Sequence, residues 1–143
     1  MRLIKTLLLL LVLAATAITA ASAAGQVEKV VYHITDGDNA TALLKTVRNH
    51  LNARPNAKIV VVAHGSGIDF LLEDAKNKNG NPYDAAVQEL SGRHKVQFRV
   101  CGNTLNSRKI DKSRVIPEAT IVPSGVAEVS RLQIEEGYAY LKP

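Results

Sequence analysis

Residues 58–63 read Lys-Ile-Val-Val-Val-Ala, and Ile59 to Val62 is an unbroken run of β-branched side chains. A strand with one face in water alternates apolar and polar residues. A strand apolar at every position needs cover on both faces, which is the situation inside a parallel sheet layered between helices. This short run constrains the chain more than any other feature, because parallel neighbours require crossover connections and so an alternating order of strands and helices.

The flanking sequence supplies that alternation. Val27 to Ile34, with Val30, Val31, Tyr32 and Ile34, reads as a first strand, and Asp36-Gly37-Asp38-Asn39 as a turn and helix N-cap. Leu44, Val47 and Leu51 form a helical stripe from about Ala40 to Asn52, stopped by Pro55. Periodicity does not decide between strand and helical turn for Ile68 to Leu72, and Glu73 to Asn81 reads as a loop. A second helix is expected to open at Asn81-Pro82 and end at Gly92. Val96, Phe98 and Val100 alternate with Lys95, Gln97 and Arg99, a strand with one wetter face, as at a sheet edge or under another subunit. Beyond Cys101, Gly102-Asn103-Thr104 is a turn with two candidate N-caps, and a basic, irregular stretch runs to Pro117. Ala119 to Val122 is a further strand. Pro123-Ser124-Gly125 starts a last helix that Gly137 ends, and Tyr138 to Leu141 adds or withholds a strand. The expected fold is an α/β sandwich around a mainly parallel sheet of four to five strands.

The N-terminus has a separate purpose. Arg2 and Lys5 precede the apolar run Leu7 to Leu13, and Ala21-Ser22-Ala23 carries small residues at the positions a signal peptidase reads. Residues 1–23 are therefore expected to be a removed signal peptide and residues 24–143 one exported, periplasmic domain, with no membrane association after cleavage. Removal takes Arg2 and Lys5 with it and lowers the formal charge from +5 to +3. That small excess, with few aromatic residues in the strands, argues against a nucleic-acid partner. Arg108, Lys109, Lys112 and Arg114 form a basic run whose simplest role is a solvated face. Cys101 is the single cysteine, so no internal disulfide forms, and the thiol is either buried and inert or free and reactive.

In an open α/β sheet, ligands collect at the carboxyl ends of the strands. The polar residues expected there are His33, Asp36, His64, Ser66, Cys101, Asn103 and Ser124. Cys101 is the sharpest candidate, because a turn before a helix exposes backbone N–H groups that favour a thiolate. His33, His64 and Cys101 are of zinc-ligand type, but no close ligand pair accompanies them, and no metal or other cofactor is expected. Asp36-Gly37-Asp38-Asn39 lacks the remaining spacing and late Glu of a calcium loop. Neither Gly65-Ser66-Gly67 nor Pro123-Ser124-Gly125 fits a nucleophile elbow, and no phosphate-binding or dinucleotide fingerprint occurs.

Val96 to Leu105, Val-Gln-Phe-Arg-Val-Cys-Gly-Asn-Thr-Leu, resembles the strand–cysteine–turn segment of the DsrE/DsrF-like family. Val122-Pro-Ser-Gly-Val126, Arg131-Leu-Gln133 and Gly137 to Pro143 resemble that family's ending, and His33 and Ala63 to Gly67 agree with it. The resemblance implies a three-layer α/β/α sandwich assembled as a homo-oligomer, a trimer or hexamer. It also implies that Cys101 carries sulfur as a persulfide between donor and acceptor proteins. In that case Asn103 and the following backbone N–H groups would stabilise the sulfur anion, with Arg99 or Arg108 adding positive potential. Two other functions fit the residues: an oligomeric binding protein with a structural cysteine, and, more weakly, a metal-dependent enzyme using the rim histidines.

Overall fold

The computed structural model describes residues 27–143. The expected signal peptide, residues 1–23, lies outside the described residues. Five strands form one sheet: β1 (Lys29–Ile34), β2 (Lys58–Ala63), β3 (Gln97–Cys101), β4 (Ala119–Val122) and β5 (Ala139–Leu141). Their order is β4-β3-β2-β1-β5, and every pairing is parallel. β2 sits at the centre, with Ile59 to Ala63 all buried, as its uninterrupted apolar run requires.

The pleat divides the strand residues between two faces. On the first, Val30, Tyr32, Ile34, Ile59, Val61, Phe98 and Val100 pack against α1 (Ala40–Ala53) and α2 (Asp84–His94). Leu43, Leu44, Val47 and Leu51 provide the buried stripe of α1, and Val87 and Leu90 that of α2. The segment that periodicity left open is a 3-10 helix, Gly65–Leu71, whose Ile68, Phe70 and Leu71 plug the same core. On the second face a smaller cluster, Val31, Val60 and Val62, meets Val129 and Leu132 of α4 (Gly125–Glu136) and Tyr138. One long helix therefore covers the second face, while two cover the first.

Three expectations change. β3 is not an edge strand, since it lies between β2 and β4. Its wetter residues, Gln97 and Arg99, face the second, thinly covered side, where Arg99 pairs with Glu128 of α4. The second helix starts at Asp84 rather than at Asn81-Pro82, and it passes through Gly92 to end at His94. Lys95 makes the stop: its φ of 59° is left-handed, and its N–H bonds Leu90 O. Finally, the stretch after Cys101 opens with a short helix, α3 (Gly102–Ser107), before a 3-10 turn at Lys112–Arg114. No helix among the described residues is long and apolar enough to cross a membrane.

Candidate functional site

With all five strands parallel, their carboxyl ends form one rim. Cys101 is the last residue of β3 and the N-cap of α3, so its side chain stands where a strand gives way to outward-pointing N–H groups. Like Arg99 two residues earlier it faces the second side, beneath the start of α4, and it is 5% exposed. Burial pushes the thiol up, but the Gly125 N–H, the Thr104 hydroxyl and N–H and, least of them, the Asn103 N–H lie around the sulfur and together outweigh it. The net effect is a thiol held below the ordinary cysteine range. The Thr104 oxygen accepts the Gly65 N–H at 3.1 Å, which leaves the hydroxyl proton for the sulfur.

Gly125 explains how α4 reaches the sulfur. A β-carbon at this position would lie 3.2 Å from the β-carbons of both Cys101 and His64, and 3.5 Å from Val62 Cγ1. Any larger residue here would need Cys101 and His64 to give way by a few tenths of an ångström. Ser124 caps the helix by accepting the Ala127 N–H at 3.4 Å, and one turn on, Glu128 pairs with Arg99, two residues before Cys101. The cap and the ion pair thus fix where the Gly125 N–H points.

The sequence-derived rim residues fall into two groups. His33, His64, Cys101 and Ser124 gather on the second face. The rings of His33 and His64 are 4.8 Å apart between centroids, His33 Nδ1 is 3.2 Å from the Tyr140 hydroxyl, and His64 adjoins Cys101 across Gly125. Burial, then His64, then Lys142 hold the His33 pKa below its ordinary value, so its ring is neutral at neutral pH. Asp36 and Ser66 belong instead to a separate hollow of about 770 Å3, also lined by Asp69, Lys76 and Tyr83 but not by Cys101. There Ser66 Oγ accepts the Gly37 N–H at 3.2 Å and donates to Thr35 O at 3.4 Å, and Asp36 accepts the Asp38 N–H at 3.0 Å. Both side chains brace turns.

The Asn103 N–H donates to Pro123 O at 3.1 Å, tying the start of α3 to the loop before α4, and its side chain is exposed on a hollow of about 400 Å3 shared with Asn106 and Lys112. The expected arginine contribution is not there. Arg99 is matched by Glu128, and Arg108 by Asp69 at 2.6 Å, with a further bond to Gly65 O. Arg114 likewise bonds Glu73 O, so the basic run mainly pins loops. The groups that lower the thiol pKa are peptide N–H groups and the Thr104 hydroxyl, with no side-chain cation among them. Among the described residues no group of three or more His, Cys, Asp or Glu is arranged to hold a metal ion. Sequence reasoning missed Thr104 and Gly125. Thr104 was noted only as a cap, and the one trace of Gly125 is its place directly after the Ser124 cap.

The comparisons agree with this architecture. The sequence profile of the DsrE/DsrF-like family matches residues 11–143. A protein of unknown function from Methanobacterium thermoautotrophicum has a similar structure, with 32% sequence identity and a TM-score of 0.71 over 81% of this chain and 99% of that one. The ychN protein of E. coli shares the fold at 13% identity and a TM-score of 0.60, over 82% of this chain and 100% of that one. No protein of curated function matches the sequence. The parallel five-stranded sheet, the cysteine at the end of its third strand and the match across residues 11–143 lead to one conclusion: the chain belongs to the DsrE/DsrF-like family.

Proposed function

We propose that this protein is an exported sulfur carrier that holds sulfane sulfur on Cys101 and passes it between a donor and an acceptor protein. The observation that carries this reading is the placing of Cys101 at the end of β3 and the start of α3, under Gly125 and beside Thr104, whose N–H and O–H groups lower the thiol pKa despite burial. A thiolate is the attacking species in sulfur exchange, and the same donors suit the terminal anion of a persulfide. No organic cofactor is needed. Export rests on Arg2, Lys5, Leu7 to Leu13 and Ala21-Ser22-Ala23. A homo-oligomer, a trimer or hexamer, is part of the proposal, supported by the thin cover of the second face and the exposed Val126 and Ile134 of α4.

The test is the intact mass of the exported protein after brief exposure to polysulfide, before and after a thiol reductant. The expected result is a chain starting at Ala24 that gains sulfur removable by reductant, while Cys101→Ser gains none and keeps its fold. A Cys101→Ser protein that still acquired sulfur would end the proposal.

The 5% exposure of Cys101 favours a second reading, an oligomeric binding protein in which the cysteine is structural. It predicts a native thiol that resists labelling until the chain is denatured.

A further inference from the structure

The sulfur-carrier reading gives no role to the two histidines beside Cys101, although the fold brings them there from different strands. Ala63 of β2 pairs with Val100 of β3, so one register step further His64 comes opposite Cys101, on the second face. Both β-carbons lie 3.2 Å from the point where a Gly125 β-carbon would stand. Behind His64, the ring of His33 is tilted 38° to it at 4.8 Å. His33 is 9% exposed, its Nδ1 is 3.2 Å from the Tyr140 hydroxyl, and its Nε2 has no hydrogen-bond partner among the described residues. Among the described residues only His33 Nε2 and, far from this corner in α2, Asp84 Oδ1 are buried side-chain polar atoms without a partner, and such an atom is costly to keep. The retention of His33 Nε2 beside a half-buried histidine and a thiol marks this corner as built for chemistry.

We propose that His64 is the proton-transfer group of the Cys101 site, and that His33, held by Tyr140, is the positioning residue that fixes the His64 ring. The inference rests on the sulfur-carrier reading. Cys101 reacts as the thiolate its surroundings favour, its proton having passed to solvent, and attacks the outer sulfur of a persulfide donor, R–S–SH. The new Sγ–S bond forms as the donor S–S bond breaks, and the electrons of the broken bond leave with RS⁻. His64 relays a proton from solvent to that leaving thiolate. Cys101–SH and R–S–SH become Cys101–S–SH and R–SH, with no external oxidant or reductant. The groups facing this corner are Cys101 from β3, His33 from β1, and Tyr140 and Lys142 from β5 and its end, while Arg99 and Glu128 pair with each other. Burial, His64 and Lys142 all disfavour a charge on His33, which suits it to a positioning role rather than to proton transfer.

Leaving-group dependence tests the assignment, since a poor leaving thiolate needs the relayed proton and a good one does not. His64→Gln is compared with the wild-type chain on two probes: glutathione persulfide, which releases an alkyl thiolate, and an aryl disulfide, which releases nitrothiobenzoate. The expected result is sulfur loading from the alkyl donor slowed by about a hundredfold, with cleavage of the aryl disulfide unchanged. His33→Asn should slow the alkyl reaction less and leave the aryl one alone. Equal losses with both probes, or no loss with either, would overturn the role of His64. Failure of the wild-type protein to take sulfur from either glutathione persulfide or polysulfide would instead remove the carrier reading itself, and the inference with it.

Discussion

Cys101 takes its character from groups distant in sequence. The Gly125 N–H arrives on α4, and the Thr104 hydroxyl is oriented by the N–H of Gly65 at the end of β2. Removing one donor should therefore be measurable at the sulfur. Thr104→Val keeps the shape and deletes the hydroxyl, and its native thiol should titrate higher than in the wild-type chain. Rates of alkylation against pH check this. His33 gives a second prediction. Its native pKa lies below the unfolded value of about 6.5, so between the two the unfolded chain binds more protons. Stability contributed by the neutral ring is present above that window and is lost as pH falls through it. Thermal unfolding should accordingly show a melting temperature that falls between pH 7 and pH 5, and falls less steeply in His33→Asn. The sequence made Cys101 and His33 visible through residue type and strand position. It could not reveal Thr104 or Gly125 as partners, because their role is a distance between elements.

At the scale of elements, α4 controls the site. Ser124 starts it, Glu128 ties it to Arg99 of β3, and Val129 and Leu132 seat it on Val31, Val60 and Val62. Glu128→Gln leaves Arg99 without its charge partner in a half-buried setting and should cost about 2 kcal/mol. It should also raise the thiol pKa, because the Gly125 N–H then loses its fixed aim. Denaturant unfolding and thiol titration of one variant check both effects. Leu132→Ala should cost about 2–5 kcal/mol, and the small second-face cluster offers few residues to close over the gap. The apolar run of β2 and the stripe of α1 were legible because burial leaves a periodic trace. The end of α2 was not, since Gly92 lies on an open surface where a helix tolerates it, and Lys95 takes the left-handed turn usually given to glycine. β3 read as an edge strand because a single helix over the second face leaves the same alternation as a sheet edge.

At the scale of the whole molecule, strand order decides which rim residues meet. The order β4-β3-β2-β1-β5 sets the end of β3 beside the end of β2, so Cys101, His64 and His33 share one corner, while Asp36 and Ser66 line a different hollow. Alternation along the sequence gives a parallel sheet but not this adjacency or the sorting of the two faces. Light scattering should find the exported chain as a trimer or hexamer, and a monomer would remove the assembly from the proposal. The parallel rim and the start of α4 together lower the pKa of a buried cysteine with N–H and O–H groups. The most direct test is the rate of native Cys101 alkylation as a function of pH, using a small neutral reagent. The account predicts a midpoint clearly below the unperturbed thiol value of about 8.5, and a midpoint at or above it would contradict the account.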